Sequence, residues 1–399
     1  MLGIAELIII GLIIEYIFRC IKLPGFIGVL LFGLLISPYG FGLISDSVLN
    51  NSDAFRTFAL VIIVLRAGLQ INYFSLKKLR TTSFFLSFLP GLSEALTITF
   101  LAPLFFPLTY IESALVGFII SAVSPAVIVP MMIDYQNRGL GEDKGIPTMI
   151  LASSTIDDII AILIFSILIG VYFEGYNLFY TLAYGFTIPI FLGIVIGLCL
   201  GACVNKLINF FRIRTTQQVL IILSLSIIMI YLEKSGFIFS SLMAIVILGF
   251  SINHKNLRIA NILEKKLSLI WIFASIILFV MIGAQTDFRF ALNIGWPAFV
   301  LIFSGLIARS LVVLLILSKS ILSMRERFFV VFSFWPEATV QAALGAIPLM
   351  MMIYLGMSTK PGEIILAISV LSILITAPLG AVVISLTADK FLNYGKRIS

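Results

Sequence analysis

The segment from Ser153 to Phe165, SSTIDDIIAILIF, places two adjacent carboxylates, Asp157 and Asp158, in an otherwise apolar run. A charged side chain at the centre of a bilayer costs about 3 kcal/mol on insertion scales, so such a pair indicates a functional site. Burial and a second carboxylate favour the protonated form of a carboxyl group, whereas a bound cation favours the ionised form. The pair is therefore suited to exchanging a proton for a cation.

Hydroxyl groups lie one helical turn before the two aspartates, at Ser153, Ser154 and Thr155. Hard oxygen donors of this kind suit a small alkali cation, and no cysteine or histidine is close in sequence to make a transition-metal site. Such a cation would be cargo, and we expect no resident cofactor.

The composition of the chain predicts a polytopic membrane protein. Of its 399 residues, 61% are hydrophobic and 11% are charged, whereas about a quarter of the residues of a soluble domain are charged. Windows of about 20 apolar residues predict thirteen transmembrane helices and an all-α fold. The predicted spans are 3–19, 24–40, 54–73, 82–107, 111–134, 147–173, 178–204, 216–233, 236–252, 267–286, 295–318, 326–355 and 362–388.

Basic residues are unevenly distributed between the two sides of these spans. With the N-terminus outside, 20 of the 26 lysines and arginines fall in inner loops and 4 in outer loops. The positive-inside rule then predicts an outside N-terminus and a cytoplasmic C-terminus. We expect the membrane to be the plasma (cell inner) membrane. The net charge of +7 reflects this topology, and no nucleic-acid partner is needed to explain it.

The sequence predicts an internal repeat. AGLQIN at 67–72 recurs as IGAQTD at 282–287, and SPAVIVP at 124–130 recurs as PEATVQAALGAIP at 336–348. The seventh span, 178–204, separates two six-helix halves, which therefore have opposite orientations. This is the inverted-repeat plan of secondary transporters.

Prolines interrupt equivalent spans of the two halves. Pro125 and Pro130 bracket the middle of the fifth span, and Pro336 and Pro348 bracket the middle of the twelfth. A proline inside a helix frees a backbone carbonyl, and freed carbonyls at membrane depth are tolerated around a cavity. We expect two crossed, broken helices at an ion-binding site.

Four further ionisable residues fall within spans: Arg66, Glu94, Arg309 and Glu337. Glu94 and Arg309 lie in corresponding spans, and an ion pair between them would relieve two desolvation costs. Because arginine keeps its proton in proteins, the pair is predicted to stabilise the core rather than to carry ions.

Several motifs together resemble the NHA group of sodium/proton antiporters, in the cation:proton antiporter superfamily that also holds the NapA- and NhaA-type exchangers. The motifs are AVSPAVIVP, KGIPT, DDI, VLRAGL, ATVQAA and LSILITAP. The resemblance implies Na⁺ or Li⁺ held at Asp157 and Asp158, with a site lined by Ala122, Val123, Ser124 and Ser154. It also implies that Glu94 and Arg309 are the buried pair of that group.

The resemblance further implies a homodimer that works by an elevator-like movement in the bilayer. Residues 1–75 and 214–290 would form the dimerisation domain, and residues 80–174 and 294–390 the core ion-transport domain. Residues 178–204 would be the linker helix.

Two departures from the group concern stoichiometry. Electrogenic relatives hold a lysine near the position of Arg309, so the arginine favours one-for-one, electroneutral exchange. Glu337 stands where the group usually has a basic residue, and Glu337, Arg66 and Thr339 are predicted modulators.

Other functions were compared with this one. A K⁺/H⁺ antiporter and an electrogenic exchanger remain open, and a cation channel also uses broken helices. An intramembrane aspartyl protease needs its two carboxylates on different helices, whereas Asp157 and Asp158 are neighbours, so the chain is not expected to be an enzyme.

Overall fold

The computed structural model describes residues 2–20, 24–44, 52–70, 81–174, 187–211, 213–286 and 295–393. These residues form seventeen α-helices and one 3₁₀ turn at Glu142–Lys144. The first eight helices are α1 (Leu2–Cys20), α2 (Gly25–Ile36), α3 (Ser52–Gln70), α4 (Thr81–Leu86), α5 (Leu89–Phe105), α6 (Tyr110–Ile120), α7 (Pro125–Arg138) and α8 (Ile146–Glu174). The others are α9 (Thr187–Phe211), α10 (Thr215–Lys234), α11 (Ser241–Lys255), α12 (Leu257–Gln285), α13 (Gly295–Leu317), α14 (Met324–Ser333), α15 (Thr339–Leu344), α16 (Ile347–Tyr354) and α17 (Lys360–Phe391).

Each of the thirteen predicted spans corresponds to helix in the described part of the chain. Seven are long and apolar enough to cross a membrane, namely α4 with α5, α8, α9, α10, α12, α13 and α17. Four more are single helices, α1, α2, α3 and α11, and the remaining two are the broken helices α6–α7 and α14–α16. The predicted end of the third span, 71–73, and the start of the seventh, 178–186, lie outside the described residues.

The tenth span begins earlier than hydropathy predicts. The predicted range is 267–286, whereas α12 covers Leu257–Gln285. The side-chain oxygen of Asn256 accepts a hydrogen bond from the backbone N–H of Ile259 at 3.1 Å, which caps the helix start. Charged residues in the first turns lower the hydropathy there, so the apolar window missed a helical segment that extends beyond the span.

The fifth span is broken where the sequence changes from SAVS to Pro125. Helix α6 ends at Ile120, and α7 begins at Pro125 after four non-helical residues. Ser124 has an extended backbone, with φ −78° and ψ 111°, and the missing N–H of a proline costs little at the first helical position. The break therefore lies before the proline pair and leaves the last carbonyls of α6 without helical partners.

The twelfth span has two interruptions rather than one. Residues 334–338 separate α14 from α15, with Pro336 inside this break, and Pro348 begins the next short helix, α16. Pro336 and Pro348 thus each lie at an interruption, on either side of the short helix α15 in the middle of the span. Pro348 opens α16 because the first turn of a helix needs no N–H from it.

The two breaks meet. The backbone N–H of Ser124 donates to the carbonyl of Pro336 at 2.7 Å. The side-chain amide of Gln341, on α15, donates to the carbonyls of Ile120 at 3.1 Å and Ala122 at 2.8 Å. Backbone groups freed by one break are thus satisfied by the other, as buried polar groups require.

The described contacts divide the chain into two compact units. The first consists of Met1–Ser52, Leu79–Phe165 and Leu278–Ser399, and the second of Asp53–Lys78 and Ser166–Ile277. The first unit contains both broken helices. In the second unit, α9 packs along α11.

An apolar core in the first unit supports α7 and α14, one half of each broken helix. It is built from α7, α8, α14 and α17, with further residues from α4 and α13. Its fully buried members include Leu86, Ile128, Met132, Ile150, Val313, Phe329, Val330 and Ile384. Buried polar side chains, among them Asp157, Glu337 and Gln341, form the candidate site.

Candidate ion-binding site

A buried arginine on α13 joins three elements of the first unit. The Arg309 side chain has 0% exposure, and its Nε forms an ion pair with Oε2 of Glu94 on α5. Its Nη1 donates to the carbonyl of Phe334 at 3.0 Å, and its Nη2 donates to the carbonyl of Ser121. These two carbonyls belong to the two helix breaks, so one guanidinium neutralises a carboxylate and satisfies both breaks.

Close helix packing places Arg309 and Glu94 together. Gly305 lies one turn before Arg309, and a Cβ at this position would be 3.0 Å from Cγ of Glu94 and 2.9 Å from Cδ1 of Ile98. A larger residue at 305 would force the side chains of Glu94 and Ile98 to move. The glycine therefore leaves room for the Glu94 side chain beside α13.

The two adjacent aspartates of α8 are both buried but have different surroundings. Oδ2 of Asp157 accepts a hydrogen bond from the backbone N–H of Val123 at 3.2 Å and lies 3.8 Å from Nη2 of Arg309. Oδ1 of Asp158 has no hydrogen-bond partner among the described residues. Neighbouring helical residues point about 100° apart, which allows this difference. The N–H of Val123 and the guanidinium of Arg309 thus lie beside Asp157, whereas Oδ1 of Asp158 accepts no hydrogen bond from the described residues.

A glycine on α5 leaves the space that the Asp157 carboxylate occupies. A Cβ at Gly91, on α5, would lie 2.5 Å from Oδ1 of Asp157 and 3.3 Å from the carbonyl of Ser121. Only a glycine leaves room for the Asp157 carboxylate to turn toward the N–H of Val123.

Further oxygens lie on two of the residues predicted to line the site, Ser124 and Ser154. The buried hydroxyl of Ser124 has no hydrogen-bond partner among the described residues, and neither has that of Thr339, a predicted modulator. The Ser154 hydroxyl donates to the carbonyl of Leu151 at 3.2 Å and keeps its lone pairs. Among the described residues no group of three histidine, cysteine, aspartate or glutamate side chains is arranged to hold a metal ion. The donors here are carboxylate, hydroxyl and carbonyl oxygens, which suit an alkali cation.

Arg66, a predicted modulator, belongs to the second unit. Its Nη2 lies 2.9 Å from Oε1 of Glu264, and Nε2 of Gln70 donates to the same oxygen at 3.1 Å. Arg66 thus has a local ion-pair partner, which explains how α3 tolerates a charge within a span.

Two residues make contacts in the site that the sequence did not predict. Gln341 donates to the carbonyls of Ile120 and Ala122 at the first break. The one signal in the sequence was its place inside the ATVQAA motif, because an amide side chain in an apolar run needs hydrogen-bond partners. Glu337 has 0% exposure and lies beside Glu94, with its backbone N–H donating to the hydroxyl of Thr376 at 3.1 Å. Sequence showed Glu337 inside a span but not the carboxylate that it faces.

We predict that breaking the Glu94–Arg309 pair destabilises the protein. Arg309→Leu leaves a buried carboxylate and two carbonyls without partners, which should cost about 3–5 kcal/mol. Thermal unfolding in detergent should show a clear fall in melting temperature, and the double change Glu94→Gln with Arg309→Gln should recover part of it. The matched control is Arg258→Leu at an exposed arginine. An Arg309→Leu protein that melts like the control would contradict the pairing.

The chain is similar to known proteins over nearly its whole length. The family described as "Sodium/hydrogen exchanger, transmembrane" matches residues 6–390. The chain is 32% identical over 388 residues to sodium/hydrogen exchanger 9B2 of Xenopus tropicalis, an alignment that covers 92% of this chain and 69% of the relative. It is 31% identical over 384 residues to the Homo sapiens protein of the same name, with coverages of 93% and 70%.

A solved structure shows the same fold. The sodium proton antiporter MjNhaP1 from Methanocaldococcus jannaschii superimposes with a TM-score of 0.83 at 21% identity, covering 97% of each chain. This likeness confirms the predicted fold class, an all-α polytopic membrane protein with an NhaA/NapA-like arrangement of helices. Together with the family match over nearly the whole chain, it confirms the resemblance given by the motifs: the protein belongs to the sodium/hydrogen exchanger family, within the cation:proton antiporter superfamily.

Proposed function

We propose that the protein exchanges Na⁺, or Li⁺, for H⁺ across the membrane, with Asp158 as the group that holds either ion. The observation that carries this proposal is the contrast between the two aspartates. Asp157 has a backbone donor and a nearby guanidinium, whereas Oδ1 of Asp158 has no partner in the described residues. A buried carboxylate without a partner must bind a proton or a cation.

The exchange follows from competition at one carboxyl group. When Na⁺ enters, Asp158 ionises, and the two carboxylates share the cation with nearby oxygens. When Na⁺ leaves, Asp158 takes up a proton, because an ionised Asp158 would be a buried charge without a cation beside the Asp157 carboxylate. Asp157 stays ionised in both states beside Arg309. The proposed lining consists of Ala122, Val123, Ser124 and Ser154.

The charge of the site is then the same in both states. Glu94 and Arg309 neutralise each other, Asp157 contributes one negative charge, and Asp158 is balanced either by H⁺ or by Na⁺. One proton moves for each sodium ion, and the exchange is electroneutral.

The mobile part of the protein would be the core domain, residues 80–174 and 294–390, in an elevator-like cycle. Arg309 supports this reading because its contacts tie α5 and both breaks into one body. Residues 1–75 and 214–290 would form the dimerisation domain of a homodimer, with 178–204 as the linker.

The 20-to-4 distribution of basic residues supports an outside N-terminus and a cytoplasmic C-terminus. The membrane would be the plasma membrane.

The first functional prediction concerns the two aspartates. In proteoliposomes, Asp158→Asn should abolish dissipation of a pH gradient by Na⁺, because the exchangeable charge is removed without a change of shape. Asp157→Asn should reduce it strongly. The matched control is Asp143→Asn, at an exposed carboxylate. The assay is run with Na⁺, Li⁺ and K⁺ in turn, and near-normal Na⁺-driven exchange by Asp158→Asn would rule out the assignment.

The second prediction concerns the position of Asp157. Gly91→Ala should push its carboxylate away from the N–H of Val123, and a displacement of about 1 Å can lower a rate by about 100-fold. Gly170→Ala, on α8, is the matched control because a Cβ there meets no atom within 4 Å. Transport per folded protein is the measurement, and equal rates for the two variants would show that the Asp157 position does not matter.

The third prediction concerns charge movement. On solid-supported membranes, a Na⁺ jump should give no sustained transport current, and the exchange rate should not respond to membrane potential. Two protons per Na⁺ would instead couple the cycle to the potential at about 2.3 kcal/mol per charge per 100 mV. A sustained, potential-sensitive current that Asp158→Asn abolishes would show electrogenic exchange.

A further inference from the structure

The buried core contains a carboxyl group that the proposed exchange does not use. Glu337 lies in the break between α14 and α15 with 0% exposure, and neither of its carboxyl oxygens has a hydrogen-bond partner of good geometry among the described residues. The neighbouring side chains that interact with its carboxyl group are those of Glu94, Arg309 and Ser372. The Ser372 hydroxyl already donates to the carbonyl of Ser369 at 3.0 Å.

The charges around Glu337 leave no cation for it. Arg309 forms an ion pair with Glu94 and also faces Asp157. In the described residues, the charged groups that face Glu337 are Glu94 from α5 and Arg309 from α13, while α17 presents only the hydroxyls of Ser372 and Thr376. A third carboxylate beside one guanidinium would be an uncompensated buried charge.

We propose that Glu337 stays protonated and donates a hydrogen bond to the carboxylate of Glu94. The two form a buried carboxyl–carboxylate pair, a proton site separate from Asp157 and Asp158. Glu94 is the ionised member because Arg309 contacts it directly. Glu337 is a positioning residue: its O–H holds the Glu94 carboxylate toward Arg309, and its proton stays in the core throughout the cycle.

This proton keeps the charge of the core constant, a consequence that rests on the proposed electroneutral exchange. The presence of the proton does not depend on transport. A protein that carried no Na⁺ at all would still hold it, so the two proposals fail separately.

Infrared difference spectra between variants of the protein test directly whether this carboxyl group is protonated. In the background Asp157→Asn with Asp158→Asn, which removes the other buried pair, the neutral-pH spectrum should retain the C=O stretch of one protonated carboxylic acid. Adding Glu337→Gln should remove that band, whereas adding Glu142→Gln, at an exposed glutamate, should not. The proposal is wrong if the background protein lacks the band, or if Glu337→Gln leaves it in place.

Thermal unfolding identifies which member holds the proton. Glu337→Gln keeps a donor toward Glu94 and should melt near the wild-type temperature at neutral pH, whereas Glu94→Gln strands Arg309 and should melt clearly lower. As the pH is raised above the range in which a carboxyl of the unfolded chain ionises, the wild type should lose stability until Glu337 itself ionises, and Glu337→Gln should lose less. Equal destabilisation by the two single changes, or a loss of stability with pH that Glu337→Gln leaves unaltered, would overturn the assignment.

Discussion

The guanidinium of Arg309 is the contact on which the core of this protein depends. A buried guanidinium needs acceptors for its N–H groups and a negative charge nearby. The helix breaks supply two carbonyl acceptors, at Ser121 and Phe334, and α5 supplies the carboxylate of Glu94. The breaks in turn need donors, because freed backbone groups inside a membrane protein are costly. Arginine and breaks therefore stabilise each other.

This arrangement explains why two identical side chains have different roles. Asp157 points toward Arg309 and the N–H of Val123, while Asp158, one residue further along α8, points elsewhere. A helix rotates its side chains by about 100° per residue, so adjacent carboxylates differ in environment without any difference in chemistry. We propose that Asp157 is the fixed charge near the arginine and that the neighbouring carboxyl binds the exchanged ion. In the proposed mechanism, ion exchange depends on a carboxyl group without a hydrogen-bond partner, Asp158, next to one with partners, Asp157.

Hydropathy and residue type predicted much of this structure, because spans, prolines and intramembrane charges are visible locally in the sequence. The thirteen spans and the candidate Glu94–Arg309 partners followed from these signals. The start of α12 did not, because a capped, charged turn has no hydropathy signal. The contacts of Gln341 and the approach of Glu337 to Glu94 were also out of reach. They depend on how the two breaks cross, which is a tertiary property that residue spacing does not encode.

The central claim is that Na⁺ and H⁺ compete for one carboxyl group, Asp158, while Asp157 stays ionised. Calorimetric titration of the purified protein with Na⁺, repeated in buffers of different ionisation enthalpy, measures the protons released as the cation binds. The account predicts one proton per bound Na⁺, and neither binding nor release in Asp158→Asn. Release of two protons, or Na⁺ binding without proton release at any pH, would contradict it.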